Sequence, residues 1–162
     1  MANSNTQGFG LIAAGTLGST PSTQGQGKYY IDANYATTIY SGGAVASLTG
    51  YIIDGQTTDA PVLGVLNGIF YNAATTLKPT WQNHYVASTT PANSENTTAF
   101  VIDNPFQLYN VSADAALTQA RIYTTMGLTV TATGSTTSGQ SSSELTVGTV
   151  HVTANQWRVV RS

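Results

Sequence analysis

From Lys28 onward the chain is a succession of short runs rich in Tyr, Ile, Val and Thr, broken by Gly, Asn and Asp. β-Branched and aromatic residues suit a half-buried pleated surface. Turn signals spaced by about 8–12 residues point to a β-sandwich or β-barrel. The spacing predicts strands over 28–31, 37–40, 44–48, 62–71, 80–86, 99–102, 106–110, 127–133, 143–147 and 156–160. Leu128-Thr129-Val130-Thr131-Ala132 alternates most clearly, with one apolar and one threonine face. A single helical candidate spans 112–121. Ser112 would cap one or two turns built on Ala113, Ala115, Ala116 and Leu117. The expected fold is therefore all-β, a compact barrel or sandwich.

Residues 1–27 read differently. They are rich in Gly, Ser, Thr, Asn and Gln, hold one apolar patch from Phe9 to Ala14, and are broken by Pro21. An extended N-terminal arm over 1–27, attached to a single β domain over 28–162, is the expected organisation. The arm would gain order by docking Phe9, Leu11 and Ile12. A neighbouring subunit is one site for them, and the chain's own domain is the other. The segment 134–141, Gly-Ser-Thr-Thr-Ser-Gly-Gln-Ser, is a polar loop between strands, either solvated or ordered by subunit contacts.

Charge narrows the function. Only 7% of the 162 residues are charged and the net charge is -2. Ordinary soluble domains carry about 25%. Such a neutral polar surface has little repulsion to oppose assembly, which suits a homo-oligomer. The five basic residues, Lys28, Lys78, Arg121, Arg158 and Arg161, form no cluster of the kind phosphate binding needs, so no nucleic-acid partner is expected. Cysteine is absent, which removes disulfides, Cys-zinc sites and Cys nucleophiles. No apolar run approaches the roughly 20 residues of a membrane-spanning helix. Phe9 to Ala14 lacks the preceding positive charge of a signal peptide. The sequons at Asn96 and Asn110 are therefore read as chance matches.

Motifs for chemistry fail their context tests. Gly8-Phe9-Gly10-Leu11-Ile12-Ala13 fits GxGxxA, but a polar segment precedes it and Gly15, Gly18 and Pro21 follow, so no βαβ unit surrounds it. His84 and His151 lie far apart with no acid beside them, which gives no metal site. Asp54 and Asp59 flank Gly55-Gln56-Thr57-Thr58 and read as turn chemistry, as does Asp103-Asn104-Pro105. The acids Asp32, Asp54, Asp59, Asp103, Asp114, Glu95 and Glu144 show no local pairing for glycosidase work. No serine stands in a nucleophile elbow. A non-enzyme without cofactor or metal is expected. Phe70, Tyr71, Trp81 and Tyr85 are candidates for a sugar-binding platform, with core packing as the competing role.

Several stretches together resemble a known family. They are Gly8-Phe9-Gly10-Leu11, then Ala36-Thr37-Thr38-Ile39-Tyr40-Ser41-Gly42-Gly43-Ala44-Val45 as strand-turn-strand. Leu63-Gly64-Val65-Leu66-Asn67-Gly68-Ile69-Phe70-Tyr71 follows, and Val101-Ile102-Asp103-Asn104-Pro105-Phe106-Gln107-Leu108-Tyr109-Asn110-Val111 places an Asp-Asn-Pro turn between strands. In this order, and with the loop at 134–141, the chain resembles the small structural proteins of tailed phages related to capsid decoration, or cement, proteins. That resemblance implies a virion protein on the outer surface of the head that reinforces the icosahedral shell by binding the major capsid protein. The rival reading is a tail or fibre module that recognises host glycans.

Overall fold

The computed structural model describes residues 8–18, 25–56, 61–129, 134–147 and 157–161. The strands are β1 (Ile12–Thr16), β2 (Gln26–Ile31), β3 (Ala44–Leu48), β4 (Tyr51–Asp54), β5 (Val62–Asn72), β6 (Pro79–Gln82), β7 (Thr97–Ile102), β8 (Gln107–Asn110), β9 (Thr125–Met126) and β10 (Trp157–Arg158). Among the described residues the only helical turns are 3-10 turns at Ala92–Ser94 and Gln119–Arg121. The fold is all-β.

The main sheet runs β2-β7-β5-β3-β4, with β6 also paired to β5. All its pairings are antiparallel. β5 is long enough to serve three partners. β7 takes one edge, while β3 and β6 share the other, β3 at Val62–Val65 and β6 at Ile69–Asn72. The end strands β2 and β4 approach each other without pairing, so the sheet curls but does not close, and the arrangement is sandwich-like rather than a barrel. β3 and β4 meet through Thr49 and Gly50, at φ 49° and 88°. This is the two-residue hairpin whose twist matches its strands.

Alternation along the strands gives the sheet two apolar faces. Val45, Leu66, Ile69, Ala99 and Val101 point into a first core with Ile31, Ile39, Ile52 and Tyr85. Ala44 and Val65 point the other way, into a second core with Leu11, Met126, Leu128, Leu145 and Val159. The layer over this second face comes from two ribbons, β1–β8 and β9–β10, and the connecting segments.

The expected helix over 112–121 shrinks to the turn at Gln119–Arg121. Ser112 does not cap it. Its carbonyl accepts from Leu145 N at 2.8 Å, Asp114 N donates back to Leu145 O at 3.0 Å, and Ala113 bridges Leu145. Extended backbone here lets Val111, Ala113 and Leu117 reach the second core, and that packing overrides alanine's helix preference. Of the strands expected over 127–133 and 143–147, the described residues pair with each other only as an isolated bridge between Leu128 and Leu145, and residues 130–133 lie outside the described residues.

Candidate binding surface

The apolar patch of the N-terminal segment is folded onto the chain itself. β1 pairs with β8 from Ile12–Asn110 to Thr16–Gln107. Leu11 is 4% exposed within the second core, so it is spent on the chain's own packing. Leu11 N donates to Gly42 O at 2.8 Å, and Gln140 Nε2 donates to Phe9 O at 2.9 Å. Gly10 explains the tight fit. Its φ is 72°, and a Cβ there would sit 2.9 Å from Gly42 O. The GxGxxA match is thus a close backbone crossing that leads into a strand.

Phe9 is half-buried and Ile12 points outward. Ile12, Leu17 and Phe106 are 48, 50 and 57% exposed on the ribbon formed by β1, β8 and the turns beside them. Leu17 N is tied to Phe106 O at 2.8 Å, which holds the last two side by side. Leu17 and Phe106 carry no periodic signal in the sequence. They flank turns, and only the β1–β8 pairing shows that they share a ribbon with Ile12.

A second surface lies on the main sheet. The layer that forms the second core covers only part of this face. Beyond it, one cross-strand row is left open: Tyr30 on β2 opposite Thr98 on β7, Thr98 opposite Phe70 on β5, and Phe70 opposite Trp81 on β6. Tyr30, Phe70 and Trp81 are 46, 38 and 55% exposed. The next row holds Lys28, Phe100 and Gly68. Trp81 lies across Gly68, where a Cβ would stand 2.6 Å from its Cζ2, and its ring centroid is 5.1 Å from that of Phe100. Lys28 Nζ sits 5.6 Å from the Tyr30 ring centroid.

One step further along the same face, Gln26 and Ile102 floor a groove of about 390 Å³ walled by Ala13, Gly15, Asn67 and Gln107. Gln107 Nε2 donates to Gly15 O and Leu108 O at 2.6 and 3.0 Å, which leaves Oε1 as its remaining acceptor.

The four aromatic candidates from the sequence therefore divide. Tyr85 is buried in the first core and Tyr71 packs against it, whereas Phe70 and Trp81 face out. Tyr30 and Phe100 join them. Their signal was the period of two that sets Lys28 and Tyr30, or Thr98 and Phe100, on one side of a strand.

The titratable groups are dispersed. Asp103 accepts from the Tyr29 hydroxyl at 2.7 Å, Asp114 from Val147 N at 2.8 Å, and Asp32 from Asn34 N at 2.8 Å. Asn104 forms the expected turn, its Oδ1 accepting from Phe106 N at 2.9 Å. Asp54 is instead the last residue of β4 and is buried, so it is part of the sheet and not of a surface turn. Asp59 and His151 lie outside the described residues. His84 stacks on Tyr40 with ring centroids 6.0 Å apart, and burial lowers its pKa. No three His, Cys, Asp or Glu gather to hold a metal among the described residues. The loop at 134–141 is ordered by its own chain, through Ser41 N to Gly139 O at 2.9 Å and Asn83 Nδ2 to Ser138 O at 2.7 Å.

Four tyrosines are shifted upward. A hydrogen bond to Asp103, then burial, raises Tyr29, and burial chiefly raises Tyr35, Tyr85 and Tyr109. The unfolded chain loses these protons near pH 10 while the folded chain holds them. Their contribution to stability is complete below about pH 10 and is lost as pH rises through the higher folded values. The urea midpoint should hold between about pH 8 and pH 9.5 and fall steeply beyond pH 10. Titration of all nine tyrosines near the ordinary value with the fold intact would contradict this.

No protein-family model, no curated protein and no solved structure matches the chain.

Proposed function

We propose that this chain is a non-enzymatic structural protein of a tailed-phage particle. In this reading it sits on the outer surface of the head and stabilises the shell by binding the major capsid protein. One observation carries the reading. The segment that opens the chain is anchored by Leu11 in the protein's own core while Ile12, Leu17 and Phe106 stand half exposed on the same ribbon. A fixed ribbon presents apolar side chains without the entropy that ordering a loose arm would cost. Each of the three would contribute about 1 kcal/mol on losing its remaining exposure. Single contacts of that size hold a protein to a shell when many identical copies bind side by side, above all as a trimer that engages several at once.

The chain's small number of charges gives the attachment a signature. Screening weakens charge pairs and leaves apolar burial intact. Shells carrying the protein should retain it from about 0.1 M to 1 M salt, although the screening length falls from about 10 to 3 Å. The triple variant Ile12→Ser, Leu17→Ser, Phe106→Ser should bind stripped heads at least about tenfold more weakly. Light scattering of the intact chain should give the mass of a trimer. Release by salt alone, or undiminished binding by the variant, would refute the reading.

A further inference from the structure

We propose that the uncovered part of the main sheet is a binding site for a neutral, unbranched oligosaccharide. It is a second activity, and it does not rest on the assignment to a phage head. The row Tyr30, Thr98, Phe70, Trp81 crosses four strands, about 14 Å at the usual inter-strand spacing. That length suits several sugar rings better than one. Aromatic faces carry negative charge density, which attracts the weakly positive C–H faces of a pyranose. Trp81 is held for this role before any ligand arrives. Gly68 beneath it and Phe100 beside it fix the ring while more than half of the residue stays exposed. A ring already in place loses little freedom on binding.

The adjoining groove decides the class of ligand. Gln26, Asn67 and the free Oε1 of Gln107 offer neutral donors and acceptors at the end of the aromatic row. A partner rich in hydroxyls satisfies them. A second copy of this chain pressed on the same face would bury these amides, and the groove would then cost the free energy of unpaired polar groups. Lys28 is the one cation among the row and groove residues, too little for a nucleic-acid backbone.

The full-length chain should be titrated with cellohexaose, maltohexaose and chitohexaose by calorimetry and by tryptophan fluorescence. The chain has two tryptophans, and Trp157 packs edge-on against Tyr109 at 5.7 Å in the second core. At least one sugar should bind saturably, with an emission change that survives Trp157→Phe and disappears in Trp81→Ala. Affinity should fall about tenfold or more in Trp81→Ala and also in Tyr30→Ala. Both residues are exposed, so far-UV circular dichroism should match the parent. Binding should not change with salt. The proposal is overturned if none of the three sugars saturates or if Trp81→Ala binds as tightly as the parent. It is equally overturned if the two variants alter only the oligomeric mass.

Discussion

Replacing Tyr85 by Ala should destabilise the protein by about 3–5 kcal/mol, the largest single-residue effect expected outside the glycine positions. Tyr85 is 0% exposed and belongs to the first core with Ile39 and Leu66. It comes from a connection, not a strand, and fastens that connection in three ways. Its backbone exchanges hydrogen bonds with Ile39 at 2.8 and 3.0 Å. Its hydroxyl donates to Tyr35 O at 2.8 Å. Its ring meets that of Tyr35 with centroids 6.0 Å apart. Truncation opens a cavity in the first core and leaves the Tyr35 carbonyl with only its bond from Ser88 N, at 2.9 Å. Domains hold only about 5–15 kcal/mol in total, so a melting point lower by about 10 °C is expected. Tyr85→Phe should cost only about 1 kcal/mol, the value of the hydrogen bond. Equal melting points for the Ala variant and the parent would remove Tyr85 from the core.

The second large effect is deletion of residues 1–18. A separable arm would leave the β domain unharmed. The positions of Leu11 and β1 argue for damage instead. Deletion strips β8 of its partner and removes Leu11 from among Val65, Met126 and Leu128. The loss of a buried leucine to alanine alone costs about 2–5 kcal/mol. The second core should loosen, with near-UV circular dichroism lost around Trp157, while the first core, built from β2 to β7, keeps its strands. Leu11→Ala should reproduce part of the loss. Unchanged melting of the truncated chain would restore the separable arm. Tests of shell binding therefore need surface substitutions at Ile12, Leu17 and Phe106, because truncation confounds binding with folding.

The sheet was legible wherever composition and burial agree. Residues 44–48 and 62–71 read as strands because β-branched and apolar residues dominate runs that the sheet buries on both faces at 44–46 and 64–66. β4 was hidden because Thr49-Gly50 is a tight turn with a non-glycine residue at positive φ, which sequence pattern does not announce. β1 was hidden because its sequence, Ile-Ala-Ala-Gly-Thr, has little β preference and is held by pairing with β8. The helix expected after Ser112 failed for the opposite reason, a local preference outvoted by burial in the second core. Of the candidate contacts, Phe9, Leu11 and Ile12 read as one patch in the sequence, but which of them turns inward depends on where the chain crosses Gly42. The aromatic row was half legible. Phe70 and Trp81 stand out in the sequence, yet only register brings Tyr30 and Phe100 beside them.

In the proposed reading the protein binds a phage shell and grips it through the β1–β8 ribbon. Density of an intact particle, sharp enough to place this chain, tests it most directly. The expected result is copies on the outer surface of the head across capsomer junctions, with Ile12, Leu17 and Phe106 turned toward the capsid protein and Trp81 toward solvent. Copies confined to the tail or fibres, or seated on the head with the ribbon facing solvent, would contradict it.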